Sequence, residues 1–142
     1  MIRFEIPGEP GAKGRPRFST FGGRVVAYTD KKTRLYESLV RDAYMQQVGN
    51  PSPIQKEISV EIKAYFNIPK SASKKKRIDM ESGKIRPVKR PDTDNIAKIV
   101  LDSLNGIAFE DDKQVVHLIV TKQYAEKPHV EVSIWEESEE ES

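Results

Sequence analysis

Between residues 58 and 66 the apolar side chains fall on every second position, as Ile58, Val60, Ile62, Ala64 and Phe66, with mostly polar residues between them. A period of two belongs to a pleated strand that buries one face and wets the other. The chain is thereby committed to a sheet that something must cover, and other segments have the 3.6-residue period of helices. Leu35, Leu39, Val40 and Ala43 place an apolar stripe on a helix of roughly Lys31 to Val48, with Asp30 as N-cap and Gly49-Asn50-Pro51 as stop. Ile96, Ile99, Val100 and Leu104 do the same for a helix that follows Pro91-Asp92 and ends at Asn105-Gly106. Shorter strands are predicted at Arg3 to Ile6, Arg24 to Tyr28, Val116 to Val120 and Val130 to Ile134, with Tyr124 to Pro128 turning between the last two. Gly8 to Gly23 reads as a loop. Pro69 to Arg90 reads as a polar, basic segment with one short helix, Ser71 to Glu81. The order ββαβ(α)αββ contains no run of βαβ units, so the expected class is α+β, a mixed β-sheet packed against two main helices.

A chain of 142 residues suits one domain, expected over residues 1–135, with an acidic and disordered tail over 136–142. It has no cysteine, which excludes disulfides and thiolate metal sites. No stretch approaches the roughly 20 apolar residues of a membrane span, and the N-terminus lacks the apolar core of a signal peptide. A cytoplasmic protein with no membrane partner is expected. The net charge of +2 hides a segregation: five of the 22 acids lie in the last seven residues, leaving 24 bases against 17 acids in the body. Most of the excess lies in Met1 to Arg34 and Pro69 to Arg90, which points to a polyanionic partner or to solvated basic faces.

Against that background, Asp92 to Asp112 carries six acids in 21 residues. Asp94, Lys98 and Asp102 are spaced by four and share a helix face distinct from the apolar one. Asp92 stands at the first turn, and the Asn105-Gly106 reversal can return Asp111-Asp112 alongside. Carboxylates of this kind hold a hard cation such as Mg²⁺, which serves phosphodiester hydrolysis. Lys98 is placed to neutralise transition-state charge. Each residue also has a plainer reading: Asp92 as an N-cap, Asp94–Lys98 as a surface salt bridge, Asp111-Asp112 as an exposed turn. Capping explains one aspartate and leaves the grouping unexplained.

The stretch Pro91-Asp92-Thr93-Asp94-Asn95-Ile96-Ala97-Lys98, then Asp102-Ser103-Leu104-Asn105-Gly106 and Asp111-Asp112-Lys113-Gln114-Val115, resembles the RusA family of Holliday junction resolvases. Gly8-Glu9-Pro10, Lys13-Gly14-Arg15-Pro16-Arg17-Phe18, Tyr28-Thr29 and Thr33 extend the resemblance over about Phe4 to Val132. It implies a Mg²⁺-dependent endonuclease acting on branched DNA as a homodimer, with Mn²⁺ as substitute and no organic cofactor. By position it implies Asp92, Asp94 and Asp112 as metal ligands, Asp111 as a further ligand or helper, and Lys98 as the catalytic lysine. Asp102 belongs to the pattern without an assigned role. Lys13, Arg15 and Arg17 on a Gly/Pro loop suit phosphate contacts, and Lys74, Lys75, Lys76 and Arg77 suit a second duplex arm. Phe18 and Phe21 either stack where bases separate or pack beneath the loop. Two other functions fit less well. A phosphohydrolase acting on nucleotides or flaps lacks a phosphate-cradling glycine motif here. A DNA-binding module without catalysis has no reason to gather acids beside a polyanion.

Overall fold

The computed structural model describes residues 1–14, 17–28 and 30–137, with Arg17 as backbone only. The elements are β1 (Ile2–Pro7), β2 (Arg17–Phe21), β3 (Arg24–Tyr28), α1 (Lys31–Gln47), β4 (Ile58–Asn67), α2 (Lys74–Glu81), α3 (Thr93–Leu104), a 3₁₀ turn (Asp112–Gln114), β5 (Val115–Ala125) and β6 (His129–Glu136). A four-stranded sheet runs β1-β6-β4-β5, and β2-β3 form a separate two-stranded arm. β1 and β4 are antiparallel to β6, whereas β4 and β5 are parallel, so the sheet is mixed and the class α+β.

The period-two residues form the core. Ile58, Val60, Ile62, Ala64 and Phe66 are buried, and Val60, Ile62 and Ala64 pair through the register with Ile134, Val132 and Val130 of β6, also buried. Phe4 and Ile6 extend this face onto β1. Ile96, Ile99, Val100 and Leu104 of α3 close over it without residual exposure. Each such side chain contributes about 1.5–3 kcal/mol through burial. α1 begins where Asp30 Oδ1 accepts from the Thr33 backbone N–H at 2.7 Å and buries Thr33, Val40, Ala43 and Tyr44. The Tyr44 ring meets Phe4 edge-on, with centroids 5.4 Å apart. Gln47 of α1 also closes the open edge of β1: its amide donates to the Glu5 carbonyl at 2.6 Å and accepts from the Glu5 N–H at 2.8 Å.

Four expectations change. Leu35, predicted in the apolar stripe of α1, is 60% exposed, and Tyr44 takes the buried role one turn beyond Val40. Val116 and Leu118 lie in the expected strand but are exposed, as is Ile119. The segment read as a loop to Gly23 contains β2. Gly22 and Gly23, at φ +57° and +78°, make a two-residue hairpin turn between Phe21 and Arg24, the connection that suits two left-handed residues in succession. Finally, β6 takes in Glu136, which the charge pattern assigns to the tail. Glu137 then donates its N–H to the Glu57 carbonyl at 3.2 Å and accepts from Ser59 Oγ. Residues 138–142 of the tail lie outside the described residues. No helix among the described residues is long and apolar enough to cross a membrane.

Candidate active site

α3 points its N-terminal end, the Asp92–Asp94 corner, out of the protein. Asp92 occupies the N-cap position, yet its side chain makes no capping hydrogen bond, so capping does not account for the carboxylate. Asp94 and Lys98 are exposed and form no ion pair with each other within 4 Å. The plain salt-bridge reading is therefore not realised. Both aspartates sit in the positive field of the helix end, which favours anions there.

The second acidic group is built by the turn after α3. Gly106, at φ +78°, reverses the chain, and Gly106 and Phe109 are joined by a backbone hydrogen bond of 2.8 Å. Asp111 then caps the 3₁₀ turn: its Oδ1 accepts from the Lys113 N–H at 2.9 Å, while Gln114 Oε1 accepts from the Asp111 N–H at 2.9 Å. The Gln114 amide donates onward to the carbonyls of Ile54 and Lys56, at 2.8 and 2.9 Å, which fastens the turn to the segment before β4. Capping thus does explain one oxygen of Asp111, and leaves Asp112 the less committed of the two. The Lys113 N–H holds the Asp111 carboxyl below its ordinary value, helped by a hydrogen bond shared with Asp112. Asp112 is pushed up by that same hydrogen bond, by burial and by the charges of Asp111 and Asp102. Two carboxylates that cannot both ionise freely mark a concentration of negative field.

Asp102 links this field to the N-terminal segment. Lys13 Nζ lies 3.4 Å from Asp102 Oδ2 and 3.3 Å from Glu37 Oε2, with all three side chains mostly covered. The approach is close enough to require glycine. A Cβ on Gly11 would lie 2.5 Å from the Tyr36 ring, and one on Gly14 would collide with Asp30 and Thr33. Gly14 N–H donates to Thr33 Oγ at 3.0 Å, and Lys13 N–H to the Asn95 carbonyl at 3.4 Å. Glu37 and the role of Asp102 were not legible from local pattern, since their partner is distant in sequence. Only the glycines flanking Lys13 hinted at a close approach.

The remaining expected contacts divide. Lys74, Lys75 and Lys76 are exposed on α2, capped by Ser73. Arg77 instead bonds the Pro69 carbonyl at 3.3 Å and pairs with Glu126 at 3.5 Å. Arg15 and the Arg17 side chain lie outside the described residues. Phe18 and Phe21 are 68% and 80% exposed on the hairpin arm, so they do not pack beneath the loop. No three carboxylates of the α3 corner and the 3₁₀ turn converge within 4.8 Å of one another among the described residues. Asp92, Asp94, Asp111 and Asp112 are all exposed.

The α+β frame sets acids at a helix start and on the following turn, within a basic body, and the family description matching residues 7–135 is Endodeoxyribonuclease RusA. The chain belongs to the RusA family. It is also similar to the protein described as uncharacterized protein YqaN from Bacillus subtilis (strain 168), at 41% identity over 140 residues, covering 96% of this chain and 97% of that one.

Proposed function

We propose that this protein resolves branched DNA, four-way junctions above all, by metal-dependent phosphodiester hydrolysis. The observation that carries the reading is the match to the RusA family over residues 7–135, together with the exposed acids Asp92, Asp94, Asp111 and Asp112 inside an otherwise basic body. These acids fit a hard divalent cation, because the donors are all carboxylates. Asp92, Asp94 and Asp112 would hold Mg²⁺ or Mn²⁺, with the uncapped oxygen of Asp111 beside them. Bound there, the ion would supply charge for the phosphoryl oxygens and a lowered pKa for the attacking water.

The chain's own groups do the rest. Lys98, exposed and one turn from Asp94, neutralises charge that develops on the phosphate. Lys74, Lys75 and Lys76 meet a duplex arm through its phosphates. Phe18 and Phe21 present open ring faces where bases unstack at a branch. Two copies act together, and the open β5 edge, with Val116, Leu118 and Ile119 exposed, offers the surface for pairing. A C₂ pair presents one site to each of two opposed strands of a junction.

The test is cleavage of a synthetic four-way junction and of matched linear duplex, in Mg²⁺ and in EDTA. The junction should be cut in Mg²⁺ and nothing should be cut in EDTA. Asp94→Asn removes a ligand and one negative charge, so cleavage should fall by orders of magnitude while junction binding holds or improves. Full cleavage by Asp94→Asn would refute the site. Binding without any cleavage by the unaltered chain would leave a DNA-binding module instead.

A further inference from the structure

The outer face of the sheet, turned away from α3, carries a second constellation of ligating groups. The register sets Glu5 of β1 directly opposite Glu131 of β6, and His129 lies two residues before Glu131 on the same face. One ligating atom from each of Glu5, His129 and Glu131 lies within 4.8 Å of the other two. Like charges directly opposite on a sheet repel, and Lys63, the residue across from Glu131 on β4, makes no ion pair with it within 4 Å.

His129 decides what fills the gap. Its Nδ1 is 2.9 Å from the Lys127 carbonyl, which can only accept, so Nδ1 carries the proton. In the neutral ring Nε2 is then a bare lone pair, and it lies 3.1 Å from Glu131 Oε2. At that distance the two groups are joined either by a proton on Nε2, as in a His129–Glu131 ion pair, or by a metal ion. The ring plane is fixed by stacking on Tyr65, with centroids 4.5 Å apart and 16° between planes. The Glu5 backbone is pinned on both sides, by β6 and by the Gln47 amide. A carbonyl that orients one imidazole nitrogen so that the other faces outward is the usual support of a metal-bound histidine.

We propose that Glu5, His129 and Glu131 form a metal site for a borderline divalent cation of the zinc type, separate from the acids around α3. An imidazole nitrogen favours such an ion over Mg²⁺, which prefers oxygen alone. Tetrahedral bonds of about 2.1 Å place ligand atoms about 3.4 Å apart, within reach of small torsional changes in two partly exposed glutamates. The site would bolt β1 to β6 across the sheet.

The probe is Zn²⁺ itself. The chain has two histidines, so ¹⁵N imidazole spectra of the unaltered protein report each one. One equivalent of Zn²⁺ should shift His129 Nε2 and leave His117 in place, and millimolar Mg²⁺ should shift neither. In an Asp92→Asn/Asp94→Asn/Asp112→Asn chain, which lacks the acids of α3 and the following turn, calorimetry should still find one zinc equivalent. Adding His129→Gln, which can keep the bond to the Lys127 carbonyl, should weaken it at least about tenfold. A His129 resonance that answers to pH but not to zinc would show that a proton fills the gap and would overturn the site. Unchanged affinity in His129→Gln would do the same. The spectra of the unaltered chain decide the matter if the substituted chains do not fold.

Discussion

Lys13 separates two roles that the sequence alone leaves merged, a phosphate contact and an internal tie. At 3.4 Å a unit charge pair is worth about 1.2 kcal/mol at the dielectric constant of water and about 4.9 kcal/mol at an effective value of 20. Burial is the largest influence on Lys13 and opposes its charge, but the hydrogen bonds and charges of Glu37 and Asp102 outweigh it and raise its pKa above 10.5. With side chains 25% and 28% exposed, solvent screening brings the net Lys13–Asp102 coupling to about 1 kcal/mol. Lys13→Met keeps most of the stem's bulk and leaves Glu37 and Asp102 without their cation. The loss should be about 1–2 kcal/mol, a fall in Tm of about 3–7 °C for a chain of this size. Urea melts of Lys13→Met, Asp102→Asn and the double variant measure the coupling. Because the folded pKa is raised, the contribution is present below pH 10.5 and is lost as pH climbs through the folded value. A lysine engaged in this way adds little to DNA binding, so the slope of log K against log salt should change by much less than about 0.9 per lost phosphate contact. Additive stabilities together with a full loss of one contact in the slope would refute the tie.

The three lysines of α2 should behave in the opposite way: changing Lys74, Lys75 and Lys76 to alanine, a good helix former, should reduce the salt slope of junction binding by up to about 2.7. An unchanged slope, measured by titration across salt concentrations, would make them a solvated face. Asp112→Asn should leave the protein slightly more stable at pH 7 in chelator, by at most about 0.5 kcal/mol after solvent screening, while abolishing cleavage. The sign follows from its raised pKa: the favourable contribution exists below pH 3.8 and is lost as pH rises through the folded value, so at neutrality the charge is a cost. Chemical melts at pH 7 and pH 3 test this, and a destabilised variant at pH 7 would contradict it.

What could be read from sequence was what a local period can encode. Ile58 to Phe66 and Ile96 to Leu104 each display a buried face on its own, and each is buried as the spacing predicts. Leu35 fails because a helix stripe is wider than the surface it covers, and Tyr44 supplies the contact that Leu35 does not. β5 has strand-forming residues, but burial depends on what packs over a strand's faces, and Val116, Leu118 and Ile119 are left exposed. β2 was obscured by glycine, proline and charge upstream, although Phe21-Gly22-Gly23-Arg24 is itself a hairpin signature. The acids of α3 were legible because they are close in sequence. Lys13 with Glu37 and Asp102, and Glu5 with His129 and Glu131, were not, since each group meets only after the chain has folded back on itself.

The parallel pairing of β4 with β5 bears on when the nuclease becomes competent. An antiparallel hairpin can find its register locally, but a parallel pair must wait until the intervening chain has travelled back across the sheet. Here that intervening chain, from Ile68 to Gln114, carries α3 and both groups of aspartates. Closing it spends loop entropy before any of the β4–β5 contacts repay it, so this step belongs among the slow ones in folding. The acids of α3 and of the 3₁₀ turn thus lie on the segment whose closure completes the sheet.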